Sequence, residues 1–140
     1  MPRITFEQCL PLRARILRPN HPFTAAQFPQ DPSAVHFGVF DGDVLVSTVT
    51  AHPEDKAEYG VAGQWRIRGM ATDSSVQSKG FGGLVLQELL VWGRGEGIPL
   101  FWCNARERAI PFYLRHGFTV ESEMFDIAGI GPHKVMKIIL

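Results

Sequence analysis

Apolar and polar positions recur along this chain in two rhythms. From Thr5 to about Arg18, the apolar residues Phe6, Leu10, Leu12, Ile16 and Leu17 fall at helical spacing, which predicts an amphipathic helix. Arg13, Arg15 and Arg18 make up its polar face and are expected in solvent. Pro11 counts against this helix unless it starts late, because an interior proline removes a hydrogen bond and crowds the preceding turn. Pro19-Asn20-His21-Pro22 ends the helix. Residues 19–34 hold four prolines and little periodicity, so they read as an irregular connection of the sort that covers a binding site.

The rhythm then shortens to two. Val35–Phe40 and Val44–Thr50 flank Asp41-Gly42-Asp43, which predicts a β-hairpin. A polar loop at 52–60 leads to a strand from Gln64 to Ala71, then a glycine-rich segment and a helix from about Gly80 to Arg94. That helix carries Phe81, Leu84, Val85, Leu86, Leu89, Leu90, Val91 and Trp92, interrupted by Gln87 and Glu88, so burial nearly all round is expected. Pro99–Asn104 reads as a short apolar strand, and Arg108–His116 as a helix stopped by Gly117. Two last strands are expected at about 118–127 and 133–140, joined through Gly129-Ile130-Gly131-Pro132. Trp65 and Trp102 belong to strands and are expected in the core. The order predicts one α+β domain over residues 1–140, built on a mixed sheet.

Composition narrows the classes of function. A length of 140 residues fits one domain. Lys plus Arg and Asp plus Glu each number 14, so the chain is formally neutral and advertises no nucleic-acid or anionic-membrane surface. A local basic pocket is compatible with that balance. Met1–Glu7 has no apolar h-region, and no window approaches the ~20 apolar residues of a membrane helix. The expectation is a cytoplasmic protein with Cys9 and Cys103 as free thiols, Cys103 inside a strand. Histidine and cysteine spacing matches no metal site, so none is expected.

The chemistry concentrates at Gln77-Ser78-Lys79-Gly80-Phe81-Gly82-Gly83, where a strand gives way to a helix. Backbone N–H groups at a helix start, with no Cβ in the way, form a concavity suited to a pyrophosphate. A tight strand–helix turn explains the same glycines equally well, and both readings stand on the residues alone. A Walker loop would need Lys-Ser/Thr after the glycines, and a dinucleotide fingerprint would need Gly-x-Gly-x-x-Gly in a first βα unit; neither is present.

Gln77-x-x-Gly80-x-Gly82 resembles the Arg/Gln-x-x-Gly-x-Gly/Ala signature of the GNAT superfamily of N-acetyltransferases. Three further segments are similar to that family: the preceding strand Arg68-Gly69-Met70-Ala71-Thr72, the strand ending Asn104-Ala105-Arg106, and Ala109-Ile110-Pro111-Phe112-Tyr113-Leu114-Arg115-His116-Gly117-Phe118. The likeness covers about residues 64–120. Gly129-Ile130-Gly131-Pro132-His133 in the tail resembles the ElaA-like branch.

The resemblance implies a twisted mixed sheet flanked by helices, splayed between two central parallel strands. It implies acetyl-CoA as acyl donor, with a primary amine of a small molecule or peptide attacking the thioester directly in a ternary complex. Met70, Ala71 and Thr72 would carry the pantetheine arm, and Gln77, Lys79, Gly80, Phe81, Gly82 and Gly83 would surround the pyrophosphate. Asn104 would hold the pantetheine, with Phe112 and Tyr113 flanking the thioester. The Met70 N–H would serve as oxyanion donor and Tyr113 would serve the departing thiolate. Family habit adds a homodimer. Many relatives carry a Glu on the strand before the loop, but Trp65-Arg66-Ile67-Arg68-Gly69-Met70 has no carboxylate. His36, His133 and a water chain are the candidate bases, and Arg66 and Arg68, alternating on one strand face, are candidates for a substrate carboxylate, Arg68 foremost. A non-catalytic acyl-CoA sensor on the same fold is the alternative, and transfer of another acyl group a third reading.

Overall fold

The computed structural model describes residues 3–20, 26–77 and 79–140. His21 and Pro22 of the predicted helix stop, and Ser78 of the loop, lie outside the described residues.

Helix α1 (Phe6–Leu17) opens on a capping box. Thr5 Oγ1 accepts from the Gln8 N–H at 3.1 Å, and the Thr5 N–H donates to Gln8 Oε1 at 2.8 Å. The cap fixes the start at Phe6, as the apolar pattern predicts, and Pro11 lies inside the helix. Packing of the inner face carries the helix past the missing hydrogen bond. That inner face includes Arg13, which is fully buried and not in solvent. Arg13 lies seven residues after Phe6, two turns along the same stripe, and Asp31 supplies its counter-charge at 3.0 Å.

The sheet has eight strands in the order β1-β2-β3-β4-β5-β8-β6, with β7 also on β8. β1 (Arg3–Ile4), which periodicity did not reveal, pairs antiparallel with β2 (Val35–Asp41). β3 (Val44–Pro53) and β4 (Trp65–Thr72) follow antiparallel. β4 runs parallel to β5 (Leu100–Arg106), which pairs antiparallel with β8 (Gly131–Ile139). The expected strand at 118–127 is two short pieces, β6 (Thr119–Val120) and β7 (Phe125–Ile127). Between them Ser122 Oγ accepts from the Val135 N–H, which replaces a ladder bond with a side-chain one.

Helix α2 (Phe81–Gly95) covers one face with Val85, Leu86, Leu89 and Leu90, which meet Val49, Ala51, Ile67 and Phe101. Its outer side is wetter than the composition implied: Leu84 and Val91 are 54% and 59% exposed. A Cβ on Gly93 would meet the Phe101 ring at 2.6 Å, so glycine sets how closely α2 approaches β5. Alternation along β3 turns Thr50 to the other face, where Arg13 of α1 reaches its Oγ1 at 2.6 Å. Helix α3 (Ile110–Arg115) follows a 3-10 turn at Glu107–Ala109 and places Tyr113 in the core. Trp102 is buried, and Trp65 packs edge-on to Trp92 at 5.2 Å. No described helix is long and apolar enough to cross a membrane.

Candidate active site

The parallel pairing of β4 and β5 holds at Trp65–Phe101 and Arg66–Trp102 and then stops. Two features part the strands. On β4 the register with β3 shifts between Thr48 and Thr50, so Gly69 and Met70 together oppose Val49 alone. Gly69 takes φ +60° there, and a Cβ would lie 2.8 Å from Arg13 Nε, so the bulge requires glycine twice over. From α3, Tyr113 stands in the gap with its hydroxyl 3.6 Å from Met70 Sδ. The parted strands open into a cleft of about 1170 Å³ that passes between them.

At one end of the cleft β4 turns into α2. Asp73 caps a 3-10 turn by accepting from the Ser75 N–H, and Gln77 Nε2 donates back to the Thr72 carbonyl at 3.1 Å. Gly80 is the N-cap of α2, in the left-handed region at φ +87°, and offers no side chain to the first helical N–H groups. Those N–H groups belong to Phe81, Gly82 and Gly83, all on the cleft wall. A Cβ on Gly82 would press on Thr72 Oγ1 at 3.2 Å, and one on Gly83 on the His116 ring at 3.1 Å. The result is a helix start stripped to backbone donors, which suits a phosphate.

Midway, burial raises the Tyr113 phenol well above its ordinary range, with Cys103 beside it adding to the effect. The Cys103 thiol is pushed up to about 12 by its own burial. Both groups therefore keep their protons at neutral pH, and Tyr113 acts as a hydrogen-bond donor.

On the α1 face, Phe28 and Gln30 lie over β4. The Arg68 guanidinium rests 4.2 Å from the Phe28 ring centre and reaches Gln30 Oε1 at 3.3 Å. Burial lowers Arg68 to about 10, with Arg66 contributing. His133 lines the cleft from β8, and its Nδ1 is 2.8 Å from the Gly131 carbonyl. That contact requires the proton on Nδ1 and leaves the lone pair of the neutral ring on Nε2.

The acetyltransferase (GNAT) family model matches residues 6–118. The chain belongs to the acetyltransferase (GNAT) family. The uncharacterized N-acetyltransferase YitI of Bacillus subtilis (strain 168) is 31% identical over 135 residues, covering 95% of this chain and 91% of that protein. Escherichia coli ElaA shares the fold at TM-score 0.75 and 18% identity, over 94% of this chain and 87% of that one. An aminoglycoside 6'-N-acetyltransferase solved with coenzyme A shares it at 0.74 and 16% identity, over 95% of this chain and 89% of that one. This GNAT protein is thus an acetyltransferase.

In this GNAT chain, Met70, Ala71, Thr72, Gln77, Gly80, Phe81, Gly82, Gly83, Asn104, Phe112 and Tyr113 all line the cleft. Lys79 is not brought to it: the residue is exposed and its N–H bonds the Val76 carbonyl. Arg68 and His133 line the cleft, while His36 does not. His36 is buried on the α1 side, its Nδ1 2.8 Å from Thr50 Oγ1 and 3.6 Å from Cys9 Sγ. Two lining residues had signals in the sequence that periodicity alone left unweighted. Arg106 shares the face of Asn104 by strand alternation, and His116 lies one turn after Phe112, with ring centres 4.7 Å apart.

Proposed function

We propose that this enzyme transfers an acetyl group from acetyl-CoA to a primary amine of a small molecule or peptide, by direct attack in a ternary complex. The observation that carries the reading is the Tyr113 hydroxyl against Met70, at the point where β4 and β5 have lost their ladder.

In this reading the backbone of Met70, Ala71 and Thr72 bonds the pantetheine arm as a neighbouring strand would. The N–H groups of Phe81, Gly82 and Gly83 meet the pyrophosphate, and Asn104 and Phe112 hold the arm from the β5 side. The Met70 N–H faces the oxygen that becomes negative as the amine adds to the thioester carbonyl. An alkylamine is neutral in only about one part per thousand at pH 7, so a base must take its proton. His133 Nε2 is that base. As the C–S bond breaks, the thiolate receives a hydrogen bond from Tyr113. A thiol titrates near ~8.5 and a phenol near ~10, so full proton transfer from Tyr113 runs uphill by at least about 2 kcal/mol. Donation without transfer matches the raised phenol.

The test pairs a coenzyme A release assay over an amine library with calorimetric acetyl-CoA binding. Tyr113→Phe is expected to lower kcat at least about tenfold while the acetyl-CoA Kd changes far less. His133→Gln is expected to lower kcat at least about tenfold while acetyl-CoA still binds. Unchanged kcat in Tyr113→Phe rejects the tyrosine assignment, and binding without release on any amine turns the reading into that of an acyl-CoA sensor.

A further inference from the structure

The cleft carries a charge pattern that donor binding uses only in part. Seven of the chain's 14 Lys and Arg side chains line the cleft, and among the described residues no Asp or Glu does. A formally neutral protein has therefore made one cavity strongly cationic. Part of that charge answers to a phosphate-bearing donor. Arg15 stands at the phosphate loop, paired with Asp73 at 2.9 Å, and Arg115 belongs to α3 beside it.

Arg68 is differently placed. It precedes the Gly69–Met70 bulge, ~13 Å of extended strand from Thr72, where the phosphate loop begins. Its side chain goes to the α1 face, under Phe28 and Gln30, while the loop belongs to the other end of β4. Its neighbours are matched or neutral. Arg13 also stacks on Phe28, at 4.3 Å, but is neutralised by Asp31; Arg66 meets Glu54 at 3.4 Å. Arg68 has the neutral amide of Gln30 and no carboxylate within ion-pair distance among the described residues. A half-buried guanidinium over an aromatic ring, on the lining of a cleft and with its charge unanswered, is arranged for an anion with paired oxygens.

Building on the acetyltransferase reading, we infer that the acceptor is an amine that also carries an anionic oxygen group, a carboxylate or a phosphate, and that Arg68 binds that group. The anion docks at Arg68 while the amine extends toward Met70 and His133. Neutral amines and polyamines lack the anchor, and polycations are repelled by the lining. Arg68 is accordingly a specificity-determining residue.

Matched amines test this: an amino acid and its amide, and an amino-alkyl phosphate and the corresponding amino alcohol. Both kcat/KM and direct calorimetric binding to the coenzyme A-loaded protein are measured. Wild type is expected to prefer each acidic partner at least tenfold; whichever pair shows the larger ratio tells carboxylate from phosphate. In Arg68→Gln the acid-to-neutral ratio should collapse toward one, mainly through KM, and Arg68→Lys should retain part of it. Thermal melting of each variant separates loss of the anchor from loss of the fold. Equal or better use of the neutral partners by wild type, or a ratio that survives Arg68→Gln, overturns the inference. If no amine releases coenzyme A, the acetyltransferase reading fails by itself, and calorimetry still decides whether the acidic partners bind through Arg68.

Discussion

Arg13 shows what a single residue can hide. Its guanidinium bonds Asp31 through both terminal nitrogens, the Ala26 carbonyl and Thr50 Oγ1, all in the interior. Removing one partner of a buried pair strands the other's charge, whereas replacing both with apolar groups is often tolerated. Arg13→Met is expected to cost about 3–5 kcal/mol in urea unfolding, and Arg13→Met with Asp31→Leu distinctly less than the sum of the single changes. Additive costs would mean the pair does not act as one. Beside it, burial lowers the pKa of His36 and of His52, with Arg13 reinforcing the effect at His36. The unfolded chain therefore takes up protons more readily than the folded one. Stability should be full above an ordinary imidazole pKa of ~6.5 and fall below it, by at most about 1.4 kcal/mol per pH unit for each ring. Urea midpoints across that range check the sign, and His36→Gln should flatten part of the slope. The sequence shows Arg13 as a charged residue on an apolar stripe; that Asp31 neutralises it depends on a chain path through 19–34 that no periodicity reports.

At the scale of elements, boundaries followed local chemistry and interruptions did not. The hairpin at Asp41-Gly42, the strand at Trp65–Thr72 and the helix at Phe81–Gly95 fall within a residue or two of their apolar patterns. The break between β6 and β7 and the exact place of the bulge at Gly69 are settled by what lies across the sheet. Glycine inside a strand is the one local sign of such a bulge. Gly69→Ala would force a side chain into the left-handed region, about 1–2 kcal/mol on its own, and push against Arg13. It is expected to lower both the melting temperature and kcat, since the bulge sets the direction of the Met70 N–H. A variant that melts early but keeps full kcat would detach the bulge from catalysis. Gln77→Ala frees the loop from the Thr72 carbonyl and should raise KM for acetyl-CoA more than it lowers kcat.

Across the whole molecule, neutrality conceals asymmetry. The proposed donor end was legible because the glycines, Asn104 and Tyr113 stand in an order that resembles the family signature. The proposed acceptor end was not, because its lining comes from α1, the segment around Phe28, β4 and β8, which lie far apart in sequence. Electrostatic attraction into an arginine-lined cleft predicts a strong salt effect for a protein of zero formal charge. Between about 10 mM and about 1 M salt the screening length falls from ~30 to ~3 Å, and kcat/KM for acetyl-CoA should fall with it while kcat changes little. Insensitivity to salt would mean that contacts within the cleft outweigh its field.

The two paired positions that tie β4 to β5 leave the middle of this sheet unfinished. Beyond Arg66 and Trp102 the two halves meet through Tyr113 and the helices instead of through a ladder. A donor that lies there as a strand is then also a part of the fold. At a hundredfold excess over its Kd, a ligand bound only by the folded state adds about 2.7 kcal/mol of stability. Amide exchange at Met70, Ala71 and Asn104 should slow when acetyl-CoA is added, well beyond the protection gained on the outer strands. The lifetime of the enzyme would then follow the supply of its own substrate.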